Sequence, residues 1–165
     1  TAADLSNQVT NGTMKKFYYA LIYGTPIRER DTLEDYLYKD GRENLSLIVN
    51  ATFPDAKKAI LNYRHCSTLM VLEEGEEVSL MEIELLTGRH HQIRAQMSNA
   101  GMPLLGDRKY GSDRSKELSR DIGCKNVALC AYKLSFKHPV THKEMVFEKE
   151  PEEELFDPFL NEGIL

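Results

Sequence analysis

The spacing of apolar residues changes period several times along the chain. Ala3, Leu5 and Val9 form a weak helical stripe that stops at Asn11-Gly12, a pair suited to ending a helix. From Lys16 to Tyr23 the period drops to two. Phe17, Tyr19, Leu21 and Tyr23 take one face, and Tyr18, Ala20 and Ile22 the other, which predicts a strand covered at least in part on both sides. Further strands are predicted over Leu45–Thr52, Ala59–Tyr63, Thr68–Leu72 and Val78–Leu86, with turns at Pro54-Asp55 and at Glu73-Glu74-Gly75-Glu76. After Gly88, residues Ile93, Met97 and Ala100 fall at helical spacing, and Gly101 stands where a left-handed residue would close that helix. A short helix is predicted from Asp113 to Arg120, then strands over Val127–Phe136 and Glu144–Phe147 joined across His138-Pro139. Without repeats or a linker, this reads as one α+β domain over residues 1–165, a mainly antiparallel mixed sheet flanked by a few helices.

Composition bounds the class. With 41% hydrophobic residues among 165, the chain has apolar material for its own core. No apolar run is long enough to cross a bilayer and Thr1–Gln8 is too polar for a signal peptide, so no membrane partner and a cytoplasmic location are expected. Cys66, Cys124 and Cys130 form no C-x-x-C pair, which predicts reduced thiols and no structural zinc. A net charge of −5 argues against nonspecific coating of nucleic acid. Between Thr87 and Lys116, however, Arg89, Arg94, Arg108, Lys109, Arg114 and Lys116 face only Asp107 and Asp113. That basic window fits a surface gripping a few phosphates as well as it fits chance clustering. The acidic stretch Glu144–Glu162 reads as a solvated face or a frayed end.

Chemistry concentrates in Thr87-Gly88-Arg89-His90-His91-Gln92-Ile93-Arg94, at a strand-to-helix junction. Unpaired N–H groups opening a helix, with Arg89 beside them, make an anion site. Arg94, next to the apolar Ile93, would lie at the core edge and need a carboxylate partner; the plainer reading is a helix whose polar residues face water. His90 and His91 are adjacent, and on a helix their side chains would diverge by roughly 100 degrees, so no metal site is expected. His65-Cys66 would point to opposite faces of a strand, which favours a structural cysteine over a Cys–His nucleophile. His138 is expected in a turn and His142 on the surface. Small and aliphatic neighbours leave space for a flat ligand against Tyr18, although a core tyrosine with a satisfied hydroxyl would look the same.

Taken together, these residues resemble the RluA-type RNA pseudouridine synthase family. The run Thr87–Arg94 is similar to that family's T-G-R-x-H-Q-[IL]-R. Pro103-Leu104-Leu105-Gly106-Asp107 with Tyr110-Gly111, Lys16-Phe17-Tyr18-Tyr19-Ala20 with Gly24, and Phe136-Lys137-His138-Pro139 follow in the family's order. The resemblance implies part of the pseudouridine synthase catalytic fold and a cofactor-free isomerase acting on ribosomal or transfer RNA. Such an enzyme flips a uridine out, breaks its N1–C1′ bond, rotates the uracil and rejoins it through C5. It assigns Tyr18 and Arg94 to catalysis: the tyrosine packs on the uracil as a candidate base, and the arginine pairs with a nucleophilic aspartate. Arg89, His91, Gln92, Asp107, Arg108, Lys109 and Tyr110 would shape the RNA-binding cleft. Two departures stand out. The family's H-R-L-D segment, which bears the nucleophile, is absent, and Thr1-Ala2-Ala3 resembles the stretch just after it; Asp107 matches a different family position. The chain is therefore expected to be a C-terminal portion, inactive alone, with the missing N-terminal part of the same enzyme as its partner. An inactive RNA-binding remnant or a fragment without function is the alternative. Cys130 stands where the family commonly has histidine.

Overall fold

The alternating strand foreseen around Tyr18 lies deep inside a seven-stranded sheet. The computed structural model describes residues 1–71 and 75–161. Helix α1 (Ala2–Thr10) precedes β1 (Lys15–Tyr23), β2 (Arg30–Asp40), β3 (Leu45–Val49), β4 (Lys57–Val71) and β5 (Glu76–Leu85). Helices α2 (Gln92–Asn99) and α3 (Asp113–Asp121), strands β6 (Leu129–Lys137) and β7 (Glu144–Glu148), a 3₁₀ turn (Glu154–Phe156) and α4 (Asp157–Asn161) complete the chain. Strand order is β3-β2-β4-β5-β1-β6-β7, and every pairing among these strands is antiparallel. The α+β expectation holds. No helix among the described residues is long and apolar enough to cross a membrane.

Both faces of β1 are covered, as its alternation requires. On one face Ala20 and Ile22 join Leu61, Met81 and Ile83, and α2 lays Ile93 and Met97 over them, with Tyr18 packed at the margin. On the other, Leu21, Val78, Leu80 and Leu105 meet Leu118 of α3 and Phe156 and Phe159 of the C-terminal turn and helix. Helix α1 is tied to the end of β6 by a buried amide: Gln8 Nε2 donates to the Lys137 carbonyl at 2.7 Å and Gln8 Oε1 accepts the Lys137 N–H at 2.8 Å.

Three features differ from the sequence reading. Strand β2 was not foreseen, because Arg30, Asp31, Glu34 and Asp35 break its apolar alternation; only Leu37 is fully buried there. The strands expected at Ala59–Tyr63 and Thr68–Leu72 are one 15-residue strand, carried past its polar middle by a register shift between His65 and Ser67. The acidic tail is neither a solvated face nor frayed through its length, since Phe156 is 1% and Phe159 6% exposed. Leu72 of that expected strand, Glu73-Glu74 of the expected turn and Glu162 of the tail lie outside the described residues.

Candidate functional site

The loop from Thr87 to α2 is built around one buried glutamine. Thr87 Oγ1 accepts from the Ile60 N–H at 2.9 Å and donates to Gln92 Oε1 at 2.8 Å, which also accepts the Arg89 N–H at 2.9 Å. Gln92 Nε2 donates to the Ile60 carbonyl and to Gln96 Oε1. With 2% exposure and both ends of its amide engaged, Gln92 braces the loop from within. His91 sits at φ 51 immediately before the helix, a left-handed turn that ends the loop and lets α2 begin.

Arg94 finds its carboxylate inside the chain. Its Nε donates to Asp107 Oδ2 and its Nη2 to Asp107 Oδ1, both at 2.8 Å, a bidentate pair with strong geometric preference. Asp107, 2% exposed, occupies Nε and Nη2, a partner within the chain that the sequence reading had not named. Nη1 makes no hydrogen bond among the described residues. The guanidinium carbon lies 5.0 Å from the centre of the Tyr110 ring, within range of a cation–π contact. Asp107 Oδ1 also accepts the Lys109 and Tyr110 N–H groups at 3.0 Å each. Burial alone would raise the Asp107 pKa, but the Arg94 hydrogen bonds and these N–H groups bring it below the usual carboxylate value. The loop admits only glycine at its ends. A Cβ on Gly106, which has φ 71, would lie 1.8 Å from the Asn126 carbonyl oxygen, and one on Gly111 would lie 2.3 Å from the Asp107 carbonyl oxygen. This accounts physically for the Gly-Asp-x-x-Tyr-Gly spacing.

The two histidines do not diverge as on a helix. They precede it, and their rings stack with centroids 3.8 Å apart. The Tyr110 hydroxyl accepts the Ser46 N–H at 2.7 Å and lies within hydrogen-bond distance, 3.0 Å, of His91 Nδ1. Burial first, then the nearby Arg94 charge, pulls the His91 pKa down to about 4. His91 is therefore neutral at neutral pH. Ser46 Oγ donates to the His90 carbonyl at 2.5 Å, so at 3.0 Å it accepts from His90 Nδ1. Lys109 spans from this loop to the β2–β3 turn, its Nζ donating to the Glu43 and Asn44 carbonyls at 3.3 and 3.0 Å. Ser46 lies in the strand expected over Leu45–Thr52, whereas the carbonyls that hold Lys109 lie in the turn after the unforeseen β2, and no local signal marks any of them as partners of this loop.

Tyr18 lines an open cleft of about 450 Å³ with Phe17, Ala131, Lys133 and Phe147. Burial raises its pKa, keeping the phenol protonated at neutral pH, and its hydroxyl has no partner among the described residues. Tyr18 and α2 share the same face and the same core cluster through Ile93, the neighbour of Arg94. Arg94 itself is not among the residues lining the Tyr18 cleft. Cys130 pairs in register with Tyr19 and packs on the opposite face, so it does not touch the Tyr18 phenol. Arg89 is exposed, with Nε held by the Lys58 carbonyl at 2.9 Å; Arg108 is exposed. The six-cation window is dispersed: Arg114 pairs with Glu76 and Glu117, Arg94 with Asp107, and Lys109 with carbonyls.

Comparison with known proteins places this arrangement in context. Residues 1–99 match the family described as RNA pseudouridylate synthase. YlyB of Bacillus subtilis (strain 168), an uncharacterised RNA pseudouridine synthase, is 33% identical over 144 residues, covering 87% of this chain and 43% of the relative. An uncharacterised RNA pseudouridine synthase of Aquifex aeolicus is 32% identical over 153 residues, 90% of this chain and 46% of that protein. The solved structure of human RNA Pseudouridylate Synthase Domain Containing 1 superposes with a TM-score of 0.72 at 22% identity, over 91% of this chain and 60% of that one, and so shares the fold. The chain spans less than half the length of the curated relatives named here.

Proposed function

Since the chain belongs to the RNA pseudouridylate synthase family, of the RluA type, we propose that it is the C-terminal portion of a catalytic domain converting specific uridines in ribosomal or transfer RNA to pseudouridine in the cytoplasm. The nucleophilic aspartate comes from a segment outside these 165 residues, and this portion alone is inactive. The reaction breaks N1–C1′, turns the uracil and forms C5–C1′; C5 loses a proton and N1 regains one, so composition is unchanged. Base flipping gives access to atoms otherwise stacked within the RNA.

The observation that carries this reading is the state of Arg94. Asp107 fixes the plane of the guanidinium through Nε and Nη2, which leaves Nη1 to orient a second carboxylate and keep it ionised for attack. Tyr18, an unpartnered phenol beside an open cleft, is the group that packs on the uracil; to act as base it first releases its hydroxyl proton to solvent, and taking the C5 proton restores the phenol. Arg89, His91, Arg108 and Tyr110 border the RNA. Gln92, Asp107 and Lys109 hold the loops that carry them.

The test is proton release from C5-tritiated uridine in RNA by the intact protein. Tyr18→Phe is expected to lower turnover by about a hundredfold or more, the scale of general acid–base catalysis, with little change in RNA affinity. Matching losses of binding and turnover would remove Tyr18 from the chemistry, and absence of release by the intact wild type would end the assignment.

A further inference from the structure

Beyond Asp107, on the side of α3, the loop borders a cavity of about 350 Å³ whose lining includes Arg108, Lys116, Arg120 and Lys125. These cations arrive from three backbone segments: the loop, helix α3 and the turn after it. The carboxylate in the lining, Asp107, is already committed to Arg94 and to two backbone N–H groups. Ser119 is committed as well, its hydroxyl donating to the Ser115 carbonyl and accepting the Gly106 N–H. Among the described residues none of the four cations makes an ion pair; most lysines and arginines of the chain share that state, and what sets these four apart is that they line one cavity.

Four uncompensated positive charges around one concavity repel one another unless an anion joins them. In a chain of net charge −5 such clustering is not a by-product of a generally basic surface. Proximity to the carbonyl end of α3 accounts for Arg120 and for Lys125 just beyond it. It does not account for Lys116 in the middle of that helix or for Arg108 outside it. Lys116 and Arg120 stand one turn apart on the same helix face.

We propose that this cavity, on the α3 side of the sheet, grips phosphates of the RNA backbone, with Arg108, Lys116, Arg120 and Lys125 as their ligands. The proposal rests on the RNA-modifying reading above and adds to it a site of stated chemistry. Asp107 borders the cavity and also binds Arg94, so backbone held here lies one side chain away from the catalytic arginine.

The test measures affinity of the intact protein for a uridine-bearing stem-loop RNA against salt concentration. For Lys116→Gln/Arg120→Gln/Lys125→Gln the slope of log K against log salt is expected to fall by about 2, at roughly 0.7 per phosphate contact on single strands, with KM for RNA raised. Lys15→Gln/Lys137→Gln/Lys143→Gln, which removes the same charge elsewhere, should leave the slope intact. An unchanged slope in the first variant, or an equal drop in both, overturns the cavity assignment while wild-type RNA binding stands. Inorganic phosphate that displaces RNA from wild type at matched ionic strength would assign the cavity to a free anion instead. Wild type that shows no salt-dependent RNA binding overturns the RNA reading and this proposal together.

Discussion

Removing Arg94 tests the site at its most constrained point. The Asp107 side chain is 1% and that of Arg94 17% exposed, so Arg94→Ala strands a carboxylate that water cannot reach. Breaking a buried ion pair costs about 3–5 kcal/mol. Here the two backbone N–H groups of Lys109 and Tyr110 remain on the carboxylate, which places the expected loss near the lower end, about 3 kcal/mol. The sign of the pH dependence follows. In wild type the folded pKa of Asp107 is depressed, so its contribution is complete above the unfolded value of about 3.9 and is lost as pH falls through the lower folded value. In Arg94→Ala burial acts without its counterweight, and the carboxyl takes up a proton at higher pH than in wild type. The stability gap between the two proteins should therefore narrow on acidification. Urea unfolding of the intact protein at neutral pH and near pH 4 reads both effects. A gap below about 1 kcal/mol at neutral pH, or one that does not change with pH, would show that the pair behaves as a surface contact and refute the reasoning.

Two further outcomes are expected. Gly106→Ala forces a Cβ against the Asn126 backbone at a positive φ, so thermal unfolding should show a loss of about 2 kcal/mol or more; an unchanged Tm would mean the loop yields freely. His91, whose folded pKa is about 4, stays neutral while the unfolded chain protonates near 6.5. Stability should fall by on the order of 1 kcal/mol, after allowance for solvent screening, as pH drops between those values. His91→Gln should flatten that part of the urea-midpoint profile, and an identical profile would argue against a neutral His91.

Much of the sheet was legible because β1 alternates and β5 and β6 are apolar-rich runs, and both α2 and α3 carry recognisable boundaries, including Gly101 at φ 79 and the Ser112 cap on α3. Strand β2 was hidden because it is half solvated and charged, so periodicity had little to register. In the site, the sequence pointed to an Arg94 that needs a carboxylate but not to Asp107, since a separation of 13 positions gives no hint of which acid folds back. Gln92 resembled a surface polar residue for the same reason: the carbonyl and amide groups that consume it come from β4 and the loop, and nothing in its neighbours announces them. The basic window failed differently. Charges adjacent in sequence were drawn to separate partners, and the unpaired cluster formed from residues spread from Arg108 to Lys125.

The position of β1 has a consequence for how the protein is made. This strand leaves the ribosome well before β6, yet it lies between β5 and β6, with Lys15 opposite Ser135, and its reverse side is closed by Phe156. Until some 120 further residues have emerged, one edge and one face of the tyrosine-bearing segment lack their native cover. Such long-range closure is intrinsically slow, and during synthesis it leaves the nascent chain dependent on whatever shields an apolar strand while its last neighbours are still being translated.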